Sequence, residues 1–131
     1  MRLTREEMYM RIAEIVSERS TCDRLSVGTV IVDIIHPGTF RIGYNGNYRG
    51  GPNKCDRDEK GNCGCIHSEI NALIKQGYGE ELFVTHSPCE DCAKAIINSG
   101  IKKVYYRNPY RDQTGIKLLE KVGIKTKQLK K

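Results

Sequence analysis

The stretch "PCEDCAKAIINSG" (residues 88–100) constrains the architecture more than any other part of this chain. Proline at the start and glycine at the end mark a helix. It lies between two β-rich segments, "ELFVTHS" and "KKVYY". The unit is therefore strand–helix–strand, and a second helix, "QTGIKLLEKVG", and a short strand, "IKTKQL", repeat the alternation. Upstream, "TREEMYMRIAEIVSERS" carries Met8, Ile12, Ile15 and Val16 at helical spacing, with Thr4 and Glu7 as a capping box. "LSVGTVIVDII" and "TFRIGYNG", joined through "HPG", predict a hairpin, and "IHSEINALIKQG" predicts a further helix. The order αββαβαβαβ predicts an α/β fold, with helices on both faces of a mixed five-stranded sheet as a three-layer α/β/α sandwich.

At 131 residues the chain fits one domain, 1–131, large enough to bury a core. It has no internal repeats or low-complexity tracts, and no apolar run approaches the roughly 20 residues of a membrane span. Its charged, amphipathic start has no signal-peptide core. The reading is a soluble, cytoplasmic protein, or one of the host cytoplasm if the source is a virus. Six cysteines could form three disulfides in a small secreted domain, but context and size favour metal ligation. The formal charge of +6 favours anionic partners such as nucleotides or nucleic acid, although much of the excess lies in the tail, "GIKTKQLKK".

Chemistry gathers at two helix starts. His67 and Glu69 open one helix, and Cys89 and Cys92 open the next, on the sheet edge where α/β folds place ligands. One imidazole and two thiolates make three zinc ligands and leave a fourth position open, as in a catalytic rather than a structural site. Helix N-termini favour the thiolate forms. Glu69, two residues past the histidine, is placed to take a proton from a metal-bound water and pass it on. A lone CxxC would fit half a zinc ribbon or a redox pair. Together the two pieces match the H-x-E…P-C-x-x-C signature of the zinc-dependent deaminases.

With those motifs in view, the chain resembles the deoxycytidylate (dCMP) deaminases of the cytidine deaminase-like superfamily. The matching stretches are "STCDRLSVGTVIV", "GYNG", "HSEINALI", "VTHSPCEDCAKAIINSGIKKVYY" and "PYRDQTGIKLLEKVGI", in family order over nearly the whole chain. The resemblance implies the cytidine deaminase-like sheet and hydrolysis of dCMP to dUMP and ammonia, supplying dUMP for thymidylate synthesis. In that reaction an activated water attacks C4 and Glu69 protonates first N3 and then the leaving amino group. It also implies that the backbone N–H of Ser68 and groups around Cys89 hold the pyrimidine edge. Ser68 stands where the family usually has alanine. By the same likeness Asn45 would bind the sugar hydroxyl, although Asn45-Gly46 is also an ordinary turn pair. Tyr110 would flank the nucleotide. Arg24 and Ser26 are candidates for the 5′-phosphate, against a solvated arginine and a strand-edge serine. His86 could line the pocket or pack at a strand end.

Four cysteines remain: Cys22, Cys55, Cys63 and Cys65. Four thiolates would make a closed structural zinc site, and several relatives carry a second zinc from these regions. The alternative is free cysteines. The glycine-rich segment "NYRGGPNKCDRDEKGNCGC" buries too little apolar surface to order itself, and a metal clip could fix it. The resemblance further implies a homohexamer, activated by dCTP and inhibited by dTTP, with Mg2+ accompanying the effector. "GYNGNYRGG" departs from that pattern in lacking the proline usual shortly after GYNG. Two other functions remain open: a nucleic-acid deaminase of the tRNA adenosine deaminase kind, and a non-enzymatic zinc-binding module. Under the second, Glu69 would have no task. No membrane partner is expected, and a free nucleotide is favoured over nucleic acid.

Overall fold

The computed structural model describes residues 1–36, 38–75 and 77–131. Pro37, in the expected hairpin connection, and Gln76, near the end of the expected second helix, fall outside the described residues. Among the described residues, four helices and five strands follow in the expected order: α1 (Arg5–Ser17), β1 (Gly28–Val32), β2 (Phe40–Tyr44), α2 (Ser68–Leu73), β3 (Glu81–His86), α3 (Glu90–Ser99), β4 (Lys103–Asn108), α4 (Thr114–Lys121) and β5 (Lys125–Gln128). The strands form one sheet in the order β2-β1-β3-β4-β5. β1 is antiparallel to β2 and β3, with Gly28 opposite Tyr44 and Thr29 opposite Val84. β3, β4 and β5 are parallel, with His86 opposite Asn108.

Strand alternation sends side chains to two cores. On one face Val30, Val32, Phe83 and Tyr105 pack against Tyr9, Met10 and Ala13 of α1. Phe83 and Tyr105 stack there with ring centroids 4.5 Å apart. On the other face Ile31, Leu82, Val84 and Val104 meet Ala72 of α2, Ala93 and Ile96 of α3, and Ile116 and Leu119 of α4. The three layers and the mixed sheet are those anticipated. Among the described residues, no helix is long and apolar enough to cross a membrane.

Three details differ from the sequence reading. The buried stripe of α1 is Tyr9, Met10, Ala13 and Val16, while Met8 and Ile15 are exposed. The capping box is also only half formed. Thr4 Oγ1 accepts the Glu7 backbone N–H at 3.1 Å, but the Glu7 carboxylate pairs with Arg107 instead. Finally, α2 stops at Leu73 rather than running on to residue 77. Arg41 of β2 donates to the Lys75 carbonyl at 2.5 Å, which gives that acceptor a partner outside the helix.

Glycines set two approaches that matter for the site. A Cβ on Gly43 would lie 2.4 Å from the Ser68 carbonyl oxygen, so α2 can rest directly on β2. A Cβ on Gly115 would lie 2.1 Å from the Pro88 carbonyl oxygen, so the start of α4 can press on the loop entering α3.

Candidate active site

Both helix starts open on one cleft of about 440 Å³. Cys89 is the N-cap of α3, and its sulfur accepts the Cys92 backbone N–H at 3.4 Å. His67, the N-cap of α2, brings Nδ1 to 3.2 Å from Cys92 Sγ and 3.5 Å from Cys89 Sγ. Zinc bond lengths and a tetrahedral angle require about 3.5 Å between a nitrogen and a sulfur ligand, and about 3.8 Å between two sulfurs. The cluster fits one zinc with three protein donors. The neighbouring thiol of Cys92, the His67 ring and the Cys92 N–H together hold the Cys89 thiol down to about 4. The hydrogen bond to Cys89 in turn raises the pKa of His67. With the two thiols so close, the Cys92 thiol is pushed up by its bond to Cys89 and by burial.

Glu69 is 4% exposed, and burial pushes its carboxyl above the ordinary value. Its Oε1 accepts from Ser68 Oγ at 3.0 Å. Ser68 Oγ lies 2.8 Å from Thr29 Oγ1 on β1. Both hydroxyl residues are fully buried.

The other four cysteines also converge. Cys22 Sγ lies 3.6 Å from Cys55 Sγ and 3.7 Å from Cys63 Sγ, and Cys65 Sγ lies 3.9 Å from Cys55 Sγ. Those spacings fit the edges of a ZnS4 tetrahedron. Asp23 and Cys55 lock the arrangement with reciprocal bonds: Asp23 N–H to Cys55 Sγ at 3.3 Å, and Cys55 N–H to Asp23 Oδ2 at 3.2 Å. Cys22, Cys63 and Cys65 line the same cleft as His67 and Glu69.

Of the remaining expected residues, Arg24, Asn45, Ser68 and Tyr110 line the cleft. Asn45 is 7% exposed. It accepts the Val27 N–H at 2.9 Å and donates to the Leu25 carbonyl at 2.7 Å, so it braces the segment bearing Arg24. Arg24 donates to the Glu59 carbonyl at 2.6 Å and pairs with Asp58 at 3.5 Å. Burial raises the pKa of the Tyr110 hydroxyl, and its backbone N–H donates to Ser87 Oγ at 2.8 Å. Ser26 is not brought in. Leu25 and Val27, in the segment leading into β1, line the cleft, while Ser26 between them is exposed. His86 does not line the cleft either. It stacks on Tyr110 at 5.7 Å, with burial lowering its pKa. Arg111 and Asp112 do line the cleft and were missed. The only signal was their place beside Tyr110 in "PYRDQTG".

Three convergent zinc donors beside a buried glutamate, on this sandwich, are the equipment of the zinc-dependent deaminases. Residues 3–108 match the family described as the cytidine and deoxycytidylate deaminase zinc-binding region, and the chain belongs to that family. It is 35% identical to ComE operon protein 2 of Bacillus subtilis (strain 168), over 98% of this chain and 72% of that protein. It is 31% identical to the deoxycytidylate deaminase of Saccharomyces cerevisiae (strain ATCC 204508 / S288c), over 98% of this chain but only 46% of the yeast protein's length. The dCMP deaminase of the cyanophage S-TIM5, solved in complex with dCMP and dUMP, superposes with a TM-score of 0.84 at 38% identity. That match covers 98% of this chain and 100% of the phage chain.

Proposed function

We propose that residues 1–131 act as one deaminase unit that hydrolyses dCMP to dUMP and ammonia. The observation that carries this reading is the buried Glu69 beside the His67–Cys89–Cys92 cluster, inside a nucleotide-sized cleft. The likeness to a phage enzyme solved with dCMP and dUMP supports the choice of substrate.

Zinc held by His67, Cys89 and Cys92 would supply Lewis acidity that makes water a nucleophile near neutral pH. Glu69 takes the proton that this water loses and delivers it to N3 of the pyrimidine. It then passes the second proton to the amino group at C4, which leaves as ammonia while the C4 carbonyl forms. A carboxyl whose pKa is raised by burial holds a proton closer to neutrality, as this exchange requires. The Ser68 backbone N–H at the start of α2 orients the base, and Asn45 meets the sugar. Tyr110 flanks the nucleotide. Arg24 and Arg111, the cations lining the cleft, neutralise the 5′-phosphate. His86 supports Tyr110 from behind.

Cys22, Cys55, Cys63 and Cys65 hold a second, structural zinc that fixes the loop over residues 47–65. The reading includes a homo-oligomer, supported by exposed apolar residues such as Ile34, Ile35, Phe40 and Ile74. It also includes dCTP and dTTP as effectors, with Mg2+, in a cytoplasmic nucleotide pathway.

The test is ammonia release from dCMP, deoxycytidine, CMP and dCTP, with a zinc count per chain. Turnover of dCMP over the others, with two zincs, is expected. Equal activity on deoxycytidine would remove the phosphate contacts, and inactivity on all four would overturn the reading.

A further inference from the structure

Glu69 does not stand alone against the cleft wall. Its Oε1 accepts from Ser68 Oγ at 3.0 Å, and Ser68 Oγ lies 2.8 Å from Thr29 Oγ1. A serine hydroxyl has one hydrogen. If it goes to the carboxylate, the threonine must donate to the serine. The direction is therefore set: Thr29 O–H to Ser68 Oγ, then Ser68 O–H to Glu69 Oε1. We propose that Ser68 and Thr29 are positioning residues for deamination, a two-hydroxyl relay that fixes the Glu69 carboxylate in one rotamer and occupies Oε1, leaving the second oxygen to carry protons in the cleft.

The placement follows from the fold. Thr29 lies on β1 next to Val30, whose side chain faces α1. Strand alternation sends Thr29 to the opposite face, where α2 packs. Ser68 is the first residue of α2, and α2 is seated on β2 through the contact that Gly43 permits. Both hydroxyls are fully buried and Glu69 is 4% exposed. The relay ends in a fully buried threonine, so it is not placed to hand protons to bulk water. What it can do is orientation. Hydrogen bonds to a charged acceptor are the strong ones, and a chain of them reinforces itself. A glutamate side chain otherwise has three rotatable bonds, and freedom there would be lost anew at every turnover.

This inference rests on the deaminase reading for its kinetic readout and on structure for an independent one. Ser68→Ala is expected to lower kcat on dCMP about tenfold, with KM within about twofold and both zincs retained. Thr29→Val, close in shape but without the hydroxyl, should give a smaller loss of the same kind, and Thr29→Ser should restore activity. In the double variant Thr29→Val should cost nothing further, because it acts only through Ser68. A crystal structure of Ser68→Ala should show the Glu69 carboxylate in more than one rotamer.

Three results would each overturn the relay: Ser68→Ala with an unchanged kcat, Thr29→Ser as slow as Thr29→Val, or losses that multiply in the double variant. A wild-type protein inactive on dCMP would count against the deaminase reading instead. The relay would then be judged on the Glu69 rotamer in Ser68→Ala, and a single ordered rotamer would overturn it.

Discussion

Glu69 combines two conditions that oppose each other in water: it is nearly sealed, at 4% exposure, and it borders the open cleft that His67 and Cys89 also line. Sealing a carboxylate costs free energy unless the charge is shared with a partner or a proton is kept. That is the state a proton carrier needs. Glu69→Gln keeps the shape and removes the exchange, so kcat on dCMP should fall by about a hundredfold or more. Zinc content should be unchanged, because Glu69 is not among the clustered donors. Loss of zinc in this variant would make Glu69 a ligand instead. His67, Glu69, Cys89 and Cys92 were legible in the sequence because their types and spacing are local. Arg111 and Thr29 were not. An arginine in a loop becomes a cleft residue only through the path of that loop, and a threonine inside a strand resembles any other β-former.

Among the elements, α1 shows how tertiary pairing overrides a local motif. Glu7 looked like half of a capping box, but in the fold Arg107 of β4 takes its carboxylate with bonds of 3.0 and 2.6 Å. Arg107 also reaches Glu14 at 3.2 Å and the Leu129 carbonyl at 3.0 Å. One guanidinium therefore joins α1, β4 and the segment after β5. A sequence reading has no access to a pairing a hundred residues away, and the inward turn of Tyr9 and Ala13 was missed for the same reason. The order of elements was legible, because proline, glycine and β-branched runs punctuate the chain locally.

The Arg107 side chain is 2% exposed while Glu7 is at 25% and Glu14 at 29%, so the carboxylates keep part of their hydration. The Arg107 Nε also lacks a partner among the described residues. Both facts reduce the clamp's net worth, and Arg107→Met should destabilise by about 1–3 kcal/mol at pH 7. The bond to Arg107 lowers the Glu7 pKa below its ordinary 4.5. A lowered carboxylate pKa stabilises the fold fully above pH 4.5, and that contribution is lost as pH falls through the folded value. Urea melts at pH 7 and pH 4 should therefore show the gap between wild type and Arg107→Met narrowing in acid. A gap that stays constant would remove the ion pair as its cause.

On the scale of the whole molecule, the two clusters of donor side chains are not independent modules. Cys22, Cys63 and Cys65 form part of the wall of the cleft that holds His67 and Glu69. Arg24 anchors to Glu59 and Asp58 in the loop that the four cysteines gather. That the cysteines are alike in type was visible in the sequence. Their sharing a wall with the His67–Cys89–Cys92 cluster was not, because it depends on how a glycine-rich loop without periodicity folds back on the end of α1. Cys55 belongs to the cluster but does not line the cleft, so it separates the loop's order from direct contact with substrate. Cys55→Ser should lower the zinc count from two to one. Losing a clip on a long loop should cost about 2–3 kcal/mol and lower Tm by about 5–10 °C. Because the remaining zinc keeps its own donors while Arg24 loses its anchor, KM for dCMP should rise about tenfold or more, the worth of one charge-assisted contact, with kcat less affected. Native mass spectrometry, a thermal melt and a substrate titration check the three parts together. Two zincs retained in Cys55→Ser would mean that this cysteine is not needed for the second site. One zinc with an unchanged KM would mean that the clip orders the loop without shaping the nucleotide site.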